Sequence, residues 1–95
     1  MDFIHESARI FALNDDGILV AEITFPPLGS GTVDINHTFV DPSLRGSGIA
    51  GMLMLTALGD IRAKGFKVVA SCPYAAKWLQ GHPEHADLLA KKSPF

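Results

Sequence analysis

One short segment joins two patterns of different period and restricts the fold more than any other feature. It carries three glycines in the sequence Arg45-Gly46-Ser47-Gly48-Ile49-Ala50-Gly51. Before it, residues 32–40 alternate in character, which is typical of a strand with one apolar face formed by Val33, Ile35, His37 and Phe39. After it, apolar residues recur every fourth position and predict a helix from about Ser47 to Lys64. The chain must therefore pack a helix on a sheet.

Segments on either side supply further strands and helices. Two strands are predicted at 3–13 and 18–25, joined by a turn at Asn14-Asp15-Asp16-Gly17 and stopped by Pro26-Pro27. A strand at 67–71 follows the helix, and two short helices are predicted at 74–80 and 84–91. The order is βββαβαα. We expect a mixed α/β sheet, with an antiparallel meander and one parallel crossover, in a single domain over residues 1–95.

Composition narrows the classes of partner. Eight basic and ten acidic residues give a net charge of −2 without a basic patch, which argues against nucleic acid. The one cysteine, Cys72, has no partner for an internal disulfide, and the N-terminus is charged, so we expect a cytoplasmic protein. The longest apolar stretch, 49–58, is shorter than the roughly 20 residues that span a bilayer, so no membrane partner is expected.

The glycine-rich turn suits an anion. A helix start presents unpaired backbone N–H groups and a positive dipole end, glycines let a phosphate approach closely, and Arg45 adds a positive charge. A tight turn that only packs the helix on the sheet is the simpler alternative. The turn also fits Gly-x-Gly-x-x-Gly, but only 44 residues follow Gly51, too few for a dinucleotide fold. A P-loop is excluded because no Gly-Lys-Ser/Thr follows.

The segment Val40-Asp41-Pro42-Ser43-Leu44-Arg45-Gly46-Ser47-Gly48-Ile49-Ala50 resembles the acetyl-CoA pyrophosphate loop of the GNAT superfamily of N-acetyltransferases. The family pattern Gln/Arg-x-x-Gly-x-Gly/Ala falls on Arg45, Gly48 and Ala50. Similarity extends over about residues 36–89 and is greatest to a short single-domain subgroup with a Cys/His pair. Longer members carry helices after the first strand that wall the acceptor site, where this chain has a four-residue turn.

The resemblance implies acetyl-CoA as cosubstrate and an unidentified small-molecule or protein amine as acceptor, with no metal. It implies that Cys72 and His37 are catalytic, either through an acetyl-cysteine intermediate or with His37 as general base on the amine. The residues it implies for coenzyme A binding are Phe39, Val40, Arg45, Gly46, Ser47, Gly48, Ile49, Ala50, Gly51, Tyr74 and Lys77.

Other possibilities stay open at this point. Trp78 lies four residues after Tyr74 and could line the pantetheine arm, although aromatic residues at that spacing usually belong to the core. His82 and His85 lack further metal ligands, so capping or surface roles are expected for them. A non-catalytic coenzyme A-binding or interaction module is the alternative function. We expect a monomer or a weak dimer.

Overall fold

The fold is that of a computed structural model, which describes residues 1–90. Within them, seven strands and two α-helices form in the order β1 (Ile4–Glu6), β2 (Arg9–Leu13), β3 (Leu19–Thr24), β4 (Pro27–Gly29), β5 (Thr32–Ile35), β6 (His37–Val40), α1 (Ile49–Ala63), β7 (Lys67–Ala70) and α2 (Pro73–Gln80). Two short 3-10 helices, Pro42–Leu44 and Pro83–Leu88, complete the described chain.

The strands form two adjoining sheets. One is antiparallel throughout, in the order β1-β2-β3-β6. The other has the order β4-β5-β7, in which β4 is antiparallel to β5, and β5 and β7 run parallel. The connection between these parallel strands runs through β6 and helix α1, and so is long enough for a parallel crossover. The predicted mixed α/β sheet, with a meander and a parallel crossover, is confirmed.

Helix α1 forms where the apolar periodicity predicts it, two residues later at its start and one earlier at its end. Leu53, Met54, Ala57, Leu58 and Ile61 are its most deeply buried residues, and they pack in one core with the sheets. Gly65 follows the helix with a φ of 73°, and the Phe66 amide donates to the Ile61 carbonyl at 3.1 Å. This glycine-dependent ending satisfies carbonyls that the last turn leaves free.

Three predicted elements outside residues 32–40 differ from the structure. The strand predicted at 3–13 is two paired strands, β1 and β2, because the chain reverses at Ser7 and Ala8. The loop after Pro26 contains a short edge strand, β4, in which Pro27 pairs with Val33. The helix predicted at 84–91 is the 3-10 helix Pro83–Leu88, and its last predicted residue, Lys91, lies outside the described residues.

The strand predicted at 32–40 is broken at Asn36. Residues up to Ile35 pair with β7, whereas residues from His37 onward pair with β3. The additional residue at the break reverses the alternation, so that His37 lies on the opposite face from buried Val33 and Ile35. The expectation that His37 and Phe39 continue the apolar face of Val33 and Ile35 is therefore wrong.

Candidate cofactor site

A cavity of about 390 Å³ lies where the first sheet meets the start of α1. This volume falls within the range of about 300–1,000 Å³ that is usual for small-molecule sites. The residues that line it come from β6, the following loop, the first turn of α1 and the first turn of α2: Thr38, Val40, Leu44, Arg45, Gly46, Gly48, Ile49, Ala50, Gly51 and Tyr74.

Local hydrogen bonds shape the loop before the helix. The Asp41 carboxylate accepts from the Ser43 amide at 3.0 Å and from the Ser43 hydroxyl at 2.5 Å, capping the 3-10 helix. These hydrogen bonds, led by the one from the hydroxyl, hold the pKa of Asp41 below its ordinary value. The Ser47 hydroxyl in turn donates to the Leu44 carbonyl. The backbone is thus folded by its own side chains before any ligand arrives.

Gly46 and Gly48 adopt conformations that favour glycine. Their φ angles are 84° and 82°, and a Cβ added to either would meet no protein atom within 4 Å. Both glycines face open space at the cavity and would be strained if replaced. Gly48 precedes the first turn of α1 and supplies no side-chain cap to the helix amides. The amides of this turn and the exposed Arg45 therefore favour an anion here.

The seam between the two sheets lies beside the cavity. Strand β6 pairs with β3, whereas β7 pairs with β5, so β6 and β7 separate beyond Asn36. Cys72 follows β7 on the far side of the gap, and its amide donates to the Ile35 carbonyl at 3.1 Å. Its Sγ lies 3.6 Å from the hydroxyl of Thr38, a cavity residue. The sulfur is therefore close to the cavity.

The Cys72 thiol is buried at the N-terminus of α2. Burial raises the pKa of the thiol, but the Ala75 amide, the Thr38 hydroxyl and the Tyr74 amide together outweigh it and leave the pKa below its ordinary value. The sulfur makes no capping hydrogen bond of ordinary geometry, so the amides act on it at longer range. Burial, followed by the charge of Cys72, raises the pKa of Tyr74.

The structure does not bring His37 and Cys72 together. Thr38 faces Cys72, and neighbouring residues of a strand point to opposite faces, so His37 points away from the sulfur. Its Nε2 instead lies 3.1 Å from a carboxylate oxygen of Glu22, and half of its side chain is exposed. Activation of the thiol by His37 is thus not supported by this arrangement.

Other predicted cofactor residues lie outside the cavity. Phe39 pairs with Glu22 on the same face as His37, Lys77 is exposed on α2, and Ser47 contributes to the loop without lining the cavity. Thr38 and Leu44 line the cavity and were not predicted. Thr38 lies two residues before Val40 and therefore on the same face of β6. The sequence could have indicated that this face lines the cavity only if the break at Asn36 had been known.

Trp78 belongs to an aromatic cluster beside the cavity. Its ring stacks on His82 with centroids 3.7 Å apart and lies 5.6 Å from the His85 ring. A Cβ added to Gly51 would lie 3.8 Å from its Nε1, so the indole packs against the start of α1. Trp78 does not line the cavity. Among residues 1–90, no group of three or more potential ligands is arranged to hold a metal ion.

Comparisons with known proteins define the family. Residues 10–88 match the model of the family described as GCN5-related N-acetyl-transferase. Protein NATD1 of Xenopus tropicalis and Protein NATD1 of Mus musculus are each 31% identical over 77 residues, which are 81% of this chain and 67% and 66% of theirs. The chain thus spans about two thirds of the length of these relatives.

Solved structures share the fold. The solution structure of a GCN5-like protein from Staphylococcus aureus has a TM-score of 0.79 at 22% identity, covering 98% of this chain and 91% of that one. N-acetylglutamate synthase from Neisseria gonorrhoeae, solved with coenzyme A and N-acetyl-glutamate, has a TM-score of 0.65 at 14% identity, covering 84% of this chain and 22% of that one.

Two adjoining sheets that separate beside a glycine-rich loop, which leads from a strand to a helix, form a fold suited to an anionic cofactor. The chain belongs to the GCN5-related N-acetyltransferase family. Family membership supports acetyl-CoA as the cosubstrate. Neither helix of the described chain is long and apolar enough to cross a bilayer.

Proposed function

We propose that this domain transfers the acetyl group of acetyl-CoA to the amine of a small molecule or protein. The observation that carries the proposal is the cavity itself. It combines the Arg45–Gly51 loop, which suits a diphosphate, with Thr38, which contacts the sulfur of Cys72 at the seam of the sheets. The loop that suits a diphosphate and the seam at which the two sheets separate therefore adjoin one cavity.

The residues present fit acetyl-CoA. Backbone amides at the start of α1 and the Arg45 side chain would hold the diphosphate, and Gly46 and Gly48 leave room for it. Val40 and Tyr74 would contact the pantetheine arm, which directs the thioester toward Thr38. Bound acetyl-CoA supplies a thioester carbonyl that an amine can attack.

In the route that we favour, the acceptor amine attacks the thioester carbonyl directly. A nitrogen–carbon bond forms, the carbon–sulfur bond breaks, and coenzyme A leaves with the electron pair and takes a proton from solvent. His37 accepts the proton that the amine nitrogen loses. His37 does not line the cavity, but β6 begins at His37 and separates from β7 beyond Asn36, so an amine that enters through this gap would pass the exposed imidazole.

An acetyl-cysteine route is the alternative for the same activity. The Cys72 thiolate would attack the thioester carbonyl, and the coenzyme A thiolate would leave and take a proton from solvent. The amine would then attack the acetyl-cysteine carbonyl, the Cys72 thiolate would leave, and the amine nitrogen would lose its proton to solvent. The lowered pKa of the thiol favours this route, because the thiolate is the nucleophile. His37 has no part in forming that thiolate, because it contacts the Glu22 carboxylate and lies on the opposite face of the sheet from the Cys72 sulfur.

Coenzyme A release in the presence of acetyl-CoA and a panel of amines, with intact mass measured in parallel, tests the function. Wild type should release thiol with at least one amine, Cys72→Ala should retain most of that activity, and His37→Ala should lose it. If intact mass showed an acetylated form of the wild-type protein that appeared and decayed as fast as turnover, and if Cys72→Ala were inactive, the cysteine route would be established instead.

Failure of every amine to release thiol would refute the enzymatic function. If coenzyme A still bound, the domain would be a non-catalytic binding module. The tight turn Asn14–Gly17 gives that outcome a structural basis, because this connection supplies no helix to wall an acceptor site.

A further inference from the structure

A charged network crosses three strands on the face of the sheet that carries His37. Glu22 of β3 lies at its centre. One carboxylate oxygen is 2.5 Å from Arg9 Nε on β2, and the other is 3.1 Å from His37 Nε2 on β6. Only 16% of the Glu22 side chain is exposed, against 50% of His37. The carboxylate is therefore far more enclosed than the histidine that it contacts.

Strand register fixes this arrangement. Glu22 is directly opposite Phe11 on β2 and Phe39 on β6. Two residues further along β3, Thr24 is directly opposite Arg9 and His37. Arg9 and His37 are thus diagonal partners of Glu22 on one face, within reach of long side chains. The Arg9 guanidinium also lies 3.8 Å above the Phe11 ring. Contacts on both sides hold the Glu22 carboxylate in place.

The chemistry of the contact selects one form of the imidazole. An ionised carboxylate only accepts hydrogen bonds, so His37 Nε2 must carry the proton that Glu22 accepts. In neutral imidazole, Nδ1 is then the nitrogen with a free lone pair. Within residues 1–90, this Nδ1 has no hydrogen-bond partner, and half of the side chain is open to solvent.

We propose that Glu22 is a positioning residue for acetyl transfer: it holds His37 with Nε2 protonated, so that Nδ1 is free to take a proton from the acceptor amine. This inference rests on the proposed function and adds to it the group that orients the base. Arg9 supports the arrangement by neutralising and orienting Glu22 from the other side. The acceptor amine then reaches His37 from the open face of the antiparallel sheet.

A purely structural ion network makes different predictions. Exposed cross-strand pairs contribute little to stability, and their loss leaves a reaction unaffected at temperatures where the protein is folded. A positioning role instead appears as a loss of kcat without a change in the KM for acetyl-CoA. It also makes Glu22 dispensable once His37 is gone, because residues that act as a unit are not additive.

Steady-state kinetics of Glu22→Gln, His37→Ala and the double variant test the proposal. The control is Glu6→Gln, which removes a carboxylate 3.5 Å from the same Arg9 but away from His37. We expect Glu22→Gln to lower kcat by about tenfold or more, with an unchanged KM for acetyl-CoA. Glu6→Gln should match wild type, and the double variant should match His37→Ala.

Two results would overturn the proposal: wild-type kcat in Glu22→Gln, or a double variant whose losses multiply. An independent readout is the tautomer of His37 in nitrogen-15 NMR of the wild type, which should be protonated at Nε2. Protonation at Nδ1 would refute the inference even if Glu22→Gln folded poorly. A wild type that transfers acetyl to no amine would instead refute the proposed function, and this role with it.

Discussion

Replacing Gly48 with alanine adds one methyl group where the loop enters α1. The residue has a φ of 82° and a ψ of 8°, a left-handed conformation that costs a residue with a Cβ about 1–2 kcal/mol. No protein atom lies within 4 Å of the added carbon, so no clash adds to that cost. Alanine also restricts the unfolded chain, which offsets about 0.4–1 kcal/mol. We expect a net destabilisation of about 1 kcal/mol.

A decrease of about 1 kcal/mol in the free energy of unfolding corresponds to a fall in Tm of about 4–8 °C for a domain of this size. Thermal unfolding followed by circular dichroism measures it. The same methyl group projects into open space at the loop, so calorimetry should also show coenzyme A binding weakened by about tenfold, equivalent to about 1.4 kcal/mol.

Gly59→Ala is the matched control. Gly59 lies in the middle of α1, is exposed, and an added Cβ would again meet nothing within 4 Å. Because its backbone is helical, alanine should stabilise the protein by about 0.5–1 kcal/mol and leave coenzyme A affinity unchanged. Equal shifts of Tm in the two variants, or unaltered coenzyme A binding in Gly48→Ala, would refute the assignment of Gly48 to a strained, ligand-facing turn.

Two further predictions concern the residues around the cavity. The pH midpoint for alkylation of Cys72 by iodoacetamide should lie below the ordinary thiol value of 9.0, because the pKa of the thiol is lowered. Thr38→Val removes the hydroxyl that contacts the sulfur and should raise this midpoint. Thr56→Val removes a hydroxyl that bonds only within α1 and should leave the midpoint unchanged. A midpoint at or above 9.0 in the wild type would contradict the local electrostatics. Trp78→Ala should lower the free energy of unfolding by roughly 2 kcal/mol, while Trp78→Phe should recover most of the loss, because a ring still packs on His82 and Gly51. Chemical denaturation measures both, and an unchanged midpoint in Trp78→Ala would show that the stack adds nothing to stability.

Local sequence signals were sufficient for the elements that carry the loop. The apolar period of α1 and the glycine after it belong to the helix itself, so they predicted the helix to within two residues at each end. The parallel crossover followed from the order of strand, helix and strand. The glycines of the turn pointed to an anion because their chemistry depends only on the adjacent helix start.

The break at Asn36 could not be predicted from the same signals. Alternation continues through His37 and Phe39 in the sequence, and only the change of pairing partner from β7 to β3 reverses it. That reversal decides which residues face the cavity, so Thr38 was missed and Phe39 was assigned to the wrong face. The Glu22 contact with His37 likewise depends on strand register, which links residues 15 positions apart.

Titration of coenzyme A into the purified wild type and Gly48→Glu by calorimetry tests the central claim most directly, since that claim is that the Arg45–Gly51 loop holds the diphosphate. We predict saturable binding to the wild type and none to Gly48→Glu, with cooperative thermal unfolding in both. A wild type that does not bind coenzyme A, or a folded Gly48→Glu that binds it equally well, would contradict the account.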